Sequence, residues 1–184
     1  MLYRHIVGRV AVVTGLALGF LGCNSSDSPT TASVDTAALS EAQAATARYA
    51  DVAVALAEGF IQASPCEAVA GRGAMGHHYV NPARVDGRLV VSQPEVLLYI
   101  PEGGRLRLVG IEYLLPIFQD GRPFFGPGAP PNPGPVPTLF GQRFDGPMAG
   151  HNPAMPWHHD LHVWMYRENP AGYFTQYNSS LSCP

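Results

Sequence analysis

The chain has no lysine; all eleven side chains of the Lys/Arg class are arginine. That excludes Schiff-base and lysine-base mechanisms. GC-rich coding explains the bias in a chain so rich in Ala and Gly. No apolar run reaches the ~20 residues a spanning helix needs, which excludes a multi-span protein. There is no G-x-S-x-G elbow, and Ser179, Ser180 and Ser182 have no positional tie to a His and an acid. Walker and G-x-G-x-x-G loops are missing as well, and Gly103-Gly104 reads as a turn. Cysteine is scarce, at three.

The N-terminus is organised for export. Arg4, His5 and Arg9 precede an apolar stretch from Val10 to Leu21, followed by Gly22 and Cys23, the layout of a secretory signal peptide. Its end, Phe20-Leu21-Gly22-Cys23, resembles the lipobox of bacterial lipoproteins, which implies a diacylated Cys23 as the first mature residue. A diacyl anchor meets the two-chain requirement for stable membrane attachment. The alternative is an ordinary signal peptide cut near Gly22 and a secreted product. Residues 23–36 are mostly Ser, Thr and Asp, suited to a flexible tether. Residues 1–22 are thus expected as signal peptide, 23–36 as tether and 37–184 as a single globular domain in the cell envelope.

Removing Arg4 and Arg9 with the signal leaves nine arginines against fourteen acids. Nucleic acid is therefore not an expected partner. With lipid on Cys23 the remaining cysteines are even in number, and Cys66 can pair with Cys183.

Residues 37–62 carry apolar side chains at helical spacing: Ala38, Ala42, Ala45, Tyr49, Val52, Leu56 and Phe60. After Cys66 short β runs alternate with turns. The clearest hairpin joins Val96–Ile100 to Arg105–Leu115 through Pro101-Glu102-Gly103-Gly104. Arg88–Ser92 reads as another strand, and a second hairpin is expected from His159–Tyr166 and Tyr173–Tyr177. Between Ile117 and Trp157 ten prolines forbid helix or central strand and point to a wrapping loop, a lid or local disorder, the aromatic content arguing against full disorder. The pattern predicts an α+β fold: an N-terminal amphipathic helix packed on a mostly antiparallel sheet or small barrel, with a long Pro/Gly-rich loop.

Apart from His5, the histidines fall in two clusters, His77-His78 and His151 with His158, His159 and His162. If residues 158–164 form a strand, His158, Asp160, His162 and Trp164 share one face while His159, Leu161 and Val163 share the other. Along Leu106, Leu108, Gly110, Glu112 and Leu114 one face is apolar except for Glu112, a costly position for a carboxylate unless it is paired, protonated or bound to a cation. His77 or His78, with His158, His162 and Glu112 or Asp160, have the ligand types of a site for a divalent transition metal: zinc, copper or iron. With an open position such a site activates water or dioxygen. Coordination needs neutral imidazole, so affinity is expected to fall below the ordinary histidine value of about 6.5. The competing reading is a non-catalytic envelope protein that binds a ligand or partner, its histidines serving structure.

The strings Gly76-His77-His78-Tyr79-Val80-Asn81-Pro82, Leu97-Leu98-Tyr99 with Leu108 to Tyr113, and His159-Asp160-Leu161-His162-Val163-Trp164 are similar to those of a set of hypothetical exported bacterial proteins. The resemblance spans residues 65–183 and implies no particular activity or cofactor. Cupins, small β-barrels with His and Glu ligands, are a looser analogy, because this chain lacks their H-x-H pair closely followed by Glu.

Overall fold

The computed structural model describes residues 33–184. The predicted signal peptide, Cys23 and most of the predicted tether lie outside the described residues. Among the described residues no helix is long and apolar enough to cross a membrane.

Helix α1, Thr36–Thr46, begins inside the segment expected as tether. Asp35 caps it, accepting from the Ala38 N–H at 3.0 Å, and the Asp35 N–H donates to the Phe140 carbonyl. A 3-10 turn over Ala47–Ala50 follows, then α2, Val52–Ala57. The single helix expected over 37–62 is therefore corrected to three pieces. Asp51 is extended and restarts the helix by accepting from the Ala53 N–H at 3.0 Å. Gly59, at φ +91°, ends it.

The strands are β1 (Ile61–Gln62), β2 (Glu67–Val69), β3 (Gly73–Val80), β4 (Val96–Glu102) and β5 (Arg105–Pro116). Within the Pro-rich segment lie β6 (Phe118–Gln119) with β7 (Arg122–Pro123), β8 (Thr138–Leu139) with β9 (Gln142–Arg143), and β10 (Asp145–Met148). Strand β11 is His158–Val163. The main sheet runs β1-β3-β4-β5-β11-β10, with β2 also on β3, and every pairing is antiparallel. The α+β expectation takes the form of an open sheet, and the barrel form is set aside.

Of the two expected hairpins, β4–β5 forms. The second does not: β11 pairs with β5 and β10, while residues 173–177 carry no strand. Their carbonyls instead receive Trp164, whose backbone N–H donates to Tyr173 and whose indole N–H donates to Thr175. Residues 88–92 also form no strand.

The sheet has two differently covered faces. Leu97, Tyr99, Ile111, Tyr113, Leu161 and Val163 pack with Ala42, Tyr49 and Ala55 of the helical layer, where small alanines permit close approach. The opposite face carries Val96, Leu98, Leu114 and Trp164 beside Leu181 and the Cys66–Cys183 disulfide. Between Leu98 and Tyr99 the register to β5 shifts. This bulge corrects the expected apolar row, because Leu106 and Leu108 join the helix-covered face while Gly110, Glu112 and Leu114 lie on the other. Gly110 must stay bare, since a Cβ there would sit 2.9 Å from the Val163 carbonyl oxygen and 3.2 Å from the Trp164 ring.

Candidate metal centre

Strand register assembles the centre. In β11 the alternation puts His158, Asp160 and His162 on the face away from the helices, and His162 stands directly opposite Glu112 of β5. Glu112 is opposite Val96, and Leu98 on that same side of β4 is opposite His78 of β3. His78, Glu112, His158, Asp160 and His162 therefore share one face, and none is more than 8% exposed.

The donor atoms converge. His78 Nε2 lies 3.4 Å and His162 Nε2 3.7 Å from Glu112 Oε2. His162 Nδ1 and His158 Nε2 lie 3.8 and 4.0 Å from Asp160 Oδ2. Two groupings result, His78-Glu112-His162 and Glu112-His158-Asp160, each with its ligand atoms within 4.8 Å of one another. Both could hold a metal ion. Donors held ~2.0–2.1 Å from a tetrahedral ion stand roughly 3.3–3.4 Å apart, so the first grouping is near coordination spacing. Those separations are too long for hydrogen bonds. Glu112 Oε2, both Asp160 oxygens, both His162 nitrogens and His158 Nε2 are buried without a hydrogen-bond partner among the described residues.

Two imidazoles are oriented from behind. The Pro156 carbonyl, 2.9 Å from His158 Nδ1, requires a proton on that nitrogen, which leaves a lone pair on Nε2. Ser64 does the same for His78. Its hydroxyl donates to the Pro65 carbonyl at 2.8 Å, so at 2.9 Å from His78 Nδ1 the oxygen acts as acceptor. His78 Nε2 then presents a lone pair toward Glu112. Such support fixes ring orientation at metal sites.

Burial governs the protonation. It pushes His78 down to about 3, with neighbouring imidazoles adding to the effect. His158 falls to about 4 through burial, opposed in part by the Pro156 carbonyl. Burial also holds His162 well below its ordinary value. Glu112 is raised well above the carboxylate range by burial and then by Asp160 and Glu95, and burial lifts Asp160 to about 7, Asp145 adding to it. Without a cation the cluster favours neutral groups, whereas a divalent ion favours ionised carboxylates beside neutral imidazoles.

Of the six residues predicted as ligands, five meet here and His77 does not. His77 lies on the opposite face of β3, where its Nδ1 is 3.0 Å from Gln62 Nε2, and the choice between His77 and His78 falls to His78. His159 also points away, with Nδ1 3.1 Å from the Asp145 carbonyl. Sequence reasoning placed His151 in a cluster but not among the ligands. Its ring centroid lies 6.1 Å from that of His78 and 6.5 Å from that of His158. Ser64 and the Pro156 carbonyl carried no signal in the sequence, because their roles depend on contacts with distant strands.

A chamber of about 30 Å³, bounded by His78, Glu112, His151 and Met155 among others, adjoins the donors. It is large enough for one water. A larger cavity of about 580 Å³ lies elsewhere, by Arg72, Asp145 and Tyr173, and touches none of the five donors. No known protein family, curated protein or solved structure matches this chain.

Proposed function

We propose that this chain is an extracytoplasmic metal-binding protein, tethered to a bacterial membrane by lipid on Cys23. One divalent transition ion is held by His78, Glu112 and His162. The observation that carries this reading is the pair of separations, 3.4 and 3.7 Å, that place two imidazole Nε2 atoms around the unpartnered Glu112 Oε2. Two imidazoles and a carboxylate suit zinc, copper or iron(II).

Asp160 Oδ2, 3.8 Å from His162 Nδ1 and so outside hydrogen-bond distance, supports the ring by charge when Nε2 binds the ion. Three protein donors with a water-sized chamber at one side leave a position open, as in catalytic rather than closed structural sites. Metal-assisted activation of a bound water is the chemistry this favours. A second reading has Glu112 bridging two ions, supported by the grouping of Glu112 with His158 and Asp160.

Elemental analysis of protein exported to the periplasm tests both. One equivalent of transition metal, lost in His162→Ala, supports the single-ion site, and two equivalents support the bridged one. No stoichiometric metal, even after incubation with zinc, copper or iron(II), overturns both. Mass spectrometry of the membrane fraction tests the anchor, expecting a diacylglyceryl group on Cys23; an unmodified terminus in the medium contradicts it.

A further inference from the structure

A second cavity lies against the first. The wall of the 30 Å³ chamber includes Ala63, Val80, Leu114, Asn152 and Met155, and all five also line a groove of about 470 Å³. The chamber thus adjoins the inner side of the groove, and Glu112 lines the chamber. Farther out the walls are Val85, Ile61 and Phe125, the last two 54% exposed. Among the described residues no charged side chain lines the groove. Its one polar side chain, Asn152, already accepts from the Ala154 N–H at 2.9 Å.

Apolar surface of this kind on an exposed face marks a binding site. The occupant is defined by what the two ends offer. The outer part provides only apolar contact, so a charged or strongly polar body would lose its hydration there without replacement. The inner end provides a buried carboxylate oxygen with no hydrogen-bond partner, set among imidazole lone pairs. A space of about 30 Å³ admits a single small donor group and excludes a folded surface.

The geometry points to this groove as the substrate site of the metal centre, taking a small uncharged apolar molecule with one oxygen-bearing, metal-binding group at its end. The assignment rests on the metal-binding reading above. The apolar body lies along Val85, Ile61 and Phe125, and the oxygen-bearing group reaches the ion past Met155 and Leu114. The turn in which the Met155 N–H donates to the Asn152 carbonyl at 3.0 Å fixes two residues that line both groove and chamber.

Cobalt(II)-loaded protein provides the test, because its visible spectrum reports the ion and any oxygen ligand together. Acetohydroxamic acid and hexanohydroxamic acid present the same chelating end and differ by four methylenes. The longer probe is expected to bind more tightly by between about tenfold and about 200-fold, the upper value being full burial of the added carbons. Ala154→Trp fills the groove and touches none of the donors. It is expected to reduce the preference below about threefold while the ligand-free cobalt spectrum and acetohydroxamic acid binding persist. Equal affinities for the two probes in the unaltered protein overturn the proposal, as does a preference that survives Ala154→Trp. Hexan-1-ol, which cannot chelate, separates the two claims in metal-free protein. Shifts of the Ala63, Leu114 and Ala154 amide resonances support the groove, and their absence refutes it. Failure to take up cobalt or zinc defeats the metal reading and with it this role for the groove, whatever hexan-1-ol does.

Discussion

The helix-covered and loop-covered faces of the sheet bury polar groups in opposite ways. Under the helices, the Tyr99 hydroxyl donates to the Tyr49 carbonyl at 2.6 Å and the Tyr113 hydroxyl to the Val91 carbonyl at 2.5 Å. Thr46 donates to the Ala42 carbonyl at 2.7 Å. On that side one buried atom, His159 Nε2, has no partner among the described residues, whereas on the other face Glu112, His158, Asp160 and His162 leave six. An unsatisfied buried group costs on the order of 1–3 kcal/mol, so several together ask for a compensating ligand. The unsatisfied groups thus concentrate on the face that carries the candidate site.

The largest expected effect concerns what holds the loop-covered face in place. The Cys66–Cys183 disulfide joins positions 117 residues apart, and by the chain-entropy estimate a loop of that length is worth about 4–5 kcal/mol. Cys66→Ser should lower stability by up to that amount in denaturant titration. A loss below about 1 kcal/mol would mean that packing of Leu181 and Trp164 holds the C-terminus unaided.

Two buried glutamates differ in how they are satisfied. Glu95 is 1% exposed but accepts from the Leu114 N–H at 3.1 Å, unlike the partnerless Glu112 Oε2. Burial raises Glu95 to about 8. A carboxyl raised on folding contributes stability that is fully present below its ordinary value near 4.5 and is lost as pH rises through about 8. Glu95→Gln keeps an acceptor for Leu114 and removes that dependence. Relative to the unaltered protein it should gain about 2–4 kcal/mol between pH 5 and pH 8. Parallel stability curves for the two proteins would refute the shift.

Within the site, His162→Ala should weaken zinc binding by at least about 100-fold. Asp160→Asn, which removes the charge beside His162 Nδ1, should cost about 10–100-fold. Both are read by competition with a chromophoric chelator. Equal losses would make Asp160 a ligand and favour the second grouping.

Much of the site was legible in the sequence because strand alternation is strict. Two-residue spacing placed His158, Asp160 and His162 together, and an acid among apolar neighbours singled out Glu112. The choice between His77 and His78 was not legible, since it depends on β3 register against β4. The bulge at Leu98–Tyr99 redirected Leu106 and Leu108, and alternation alone carries no sign of it. The helix was readable by period but not by continuity, because Asp51 and Gly59 act through backbone angles. The second hairpin fails because β11 is paired on both sides, by β5 and β10, which leaves no edge for residues 173–177 beyond the bonds from Trp164.

The pH expectation changes as well. His78 at about 3 and His158 at about 4 are already neutral near pH 7, so little proton competition comes from imidazole there. The raised carboxyl of Glu112 must lose its proton when a cation binds. Affinity should therefore fall as pH drops below the raised Glu112 value, and binding should release a proton.

Calorimetric titration of metal-free protein with zinc, repeated in buffers of different ionisation enthalpy, measures affinity, stoichiometry and proton release together. Stoichiometric binding with net proton release at neutral pH is expected, a release that Glu112→Gln diminishes and a binding that His162→Ala abolishes. Absence of binding, or binding that His162→Ala leaves unchanged, would contradict the assignment of this face as a metal centre.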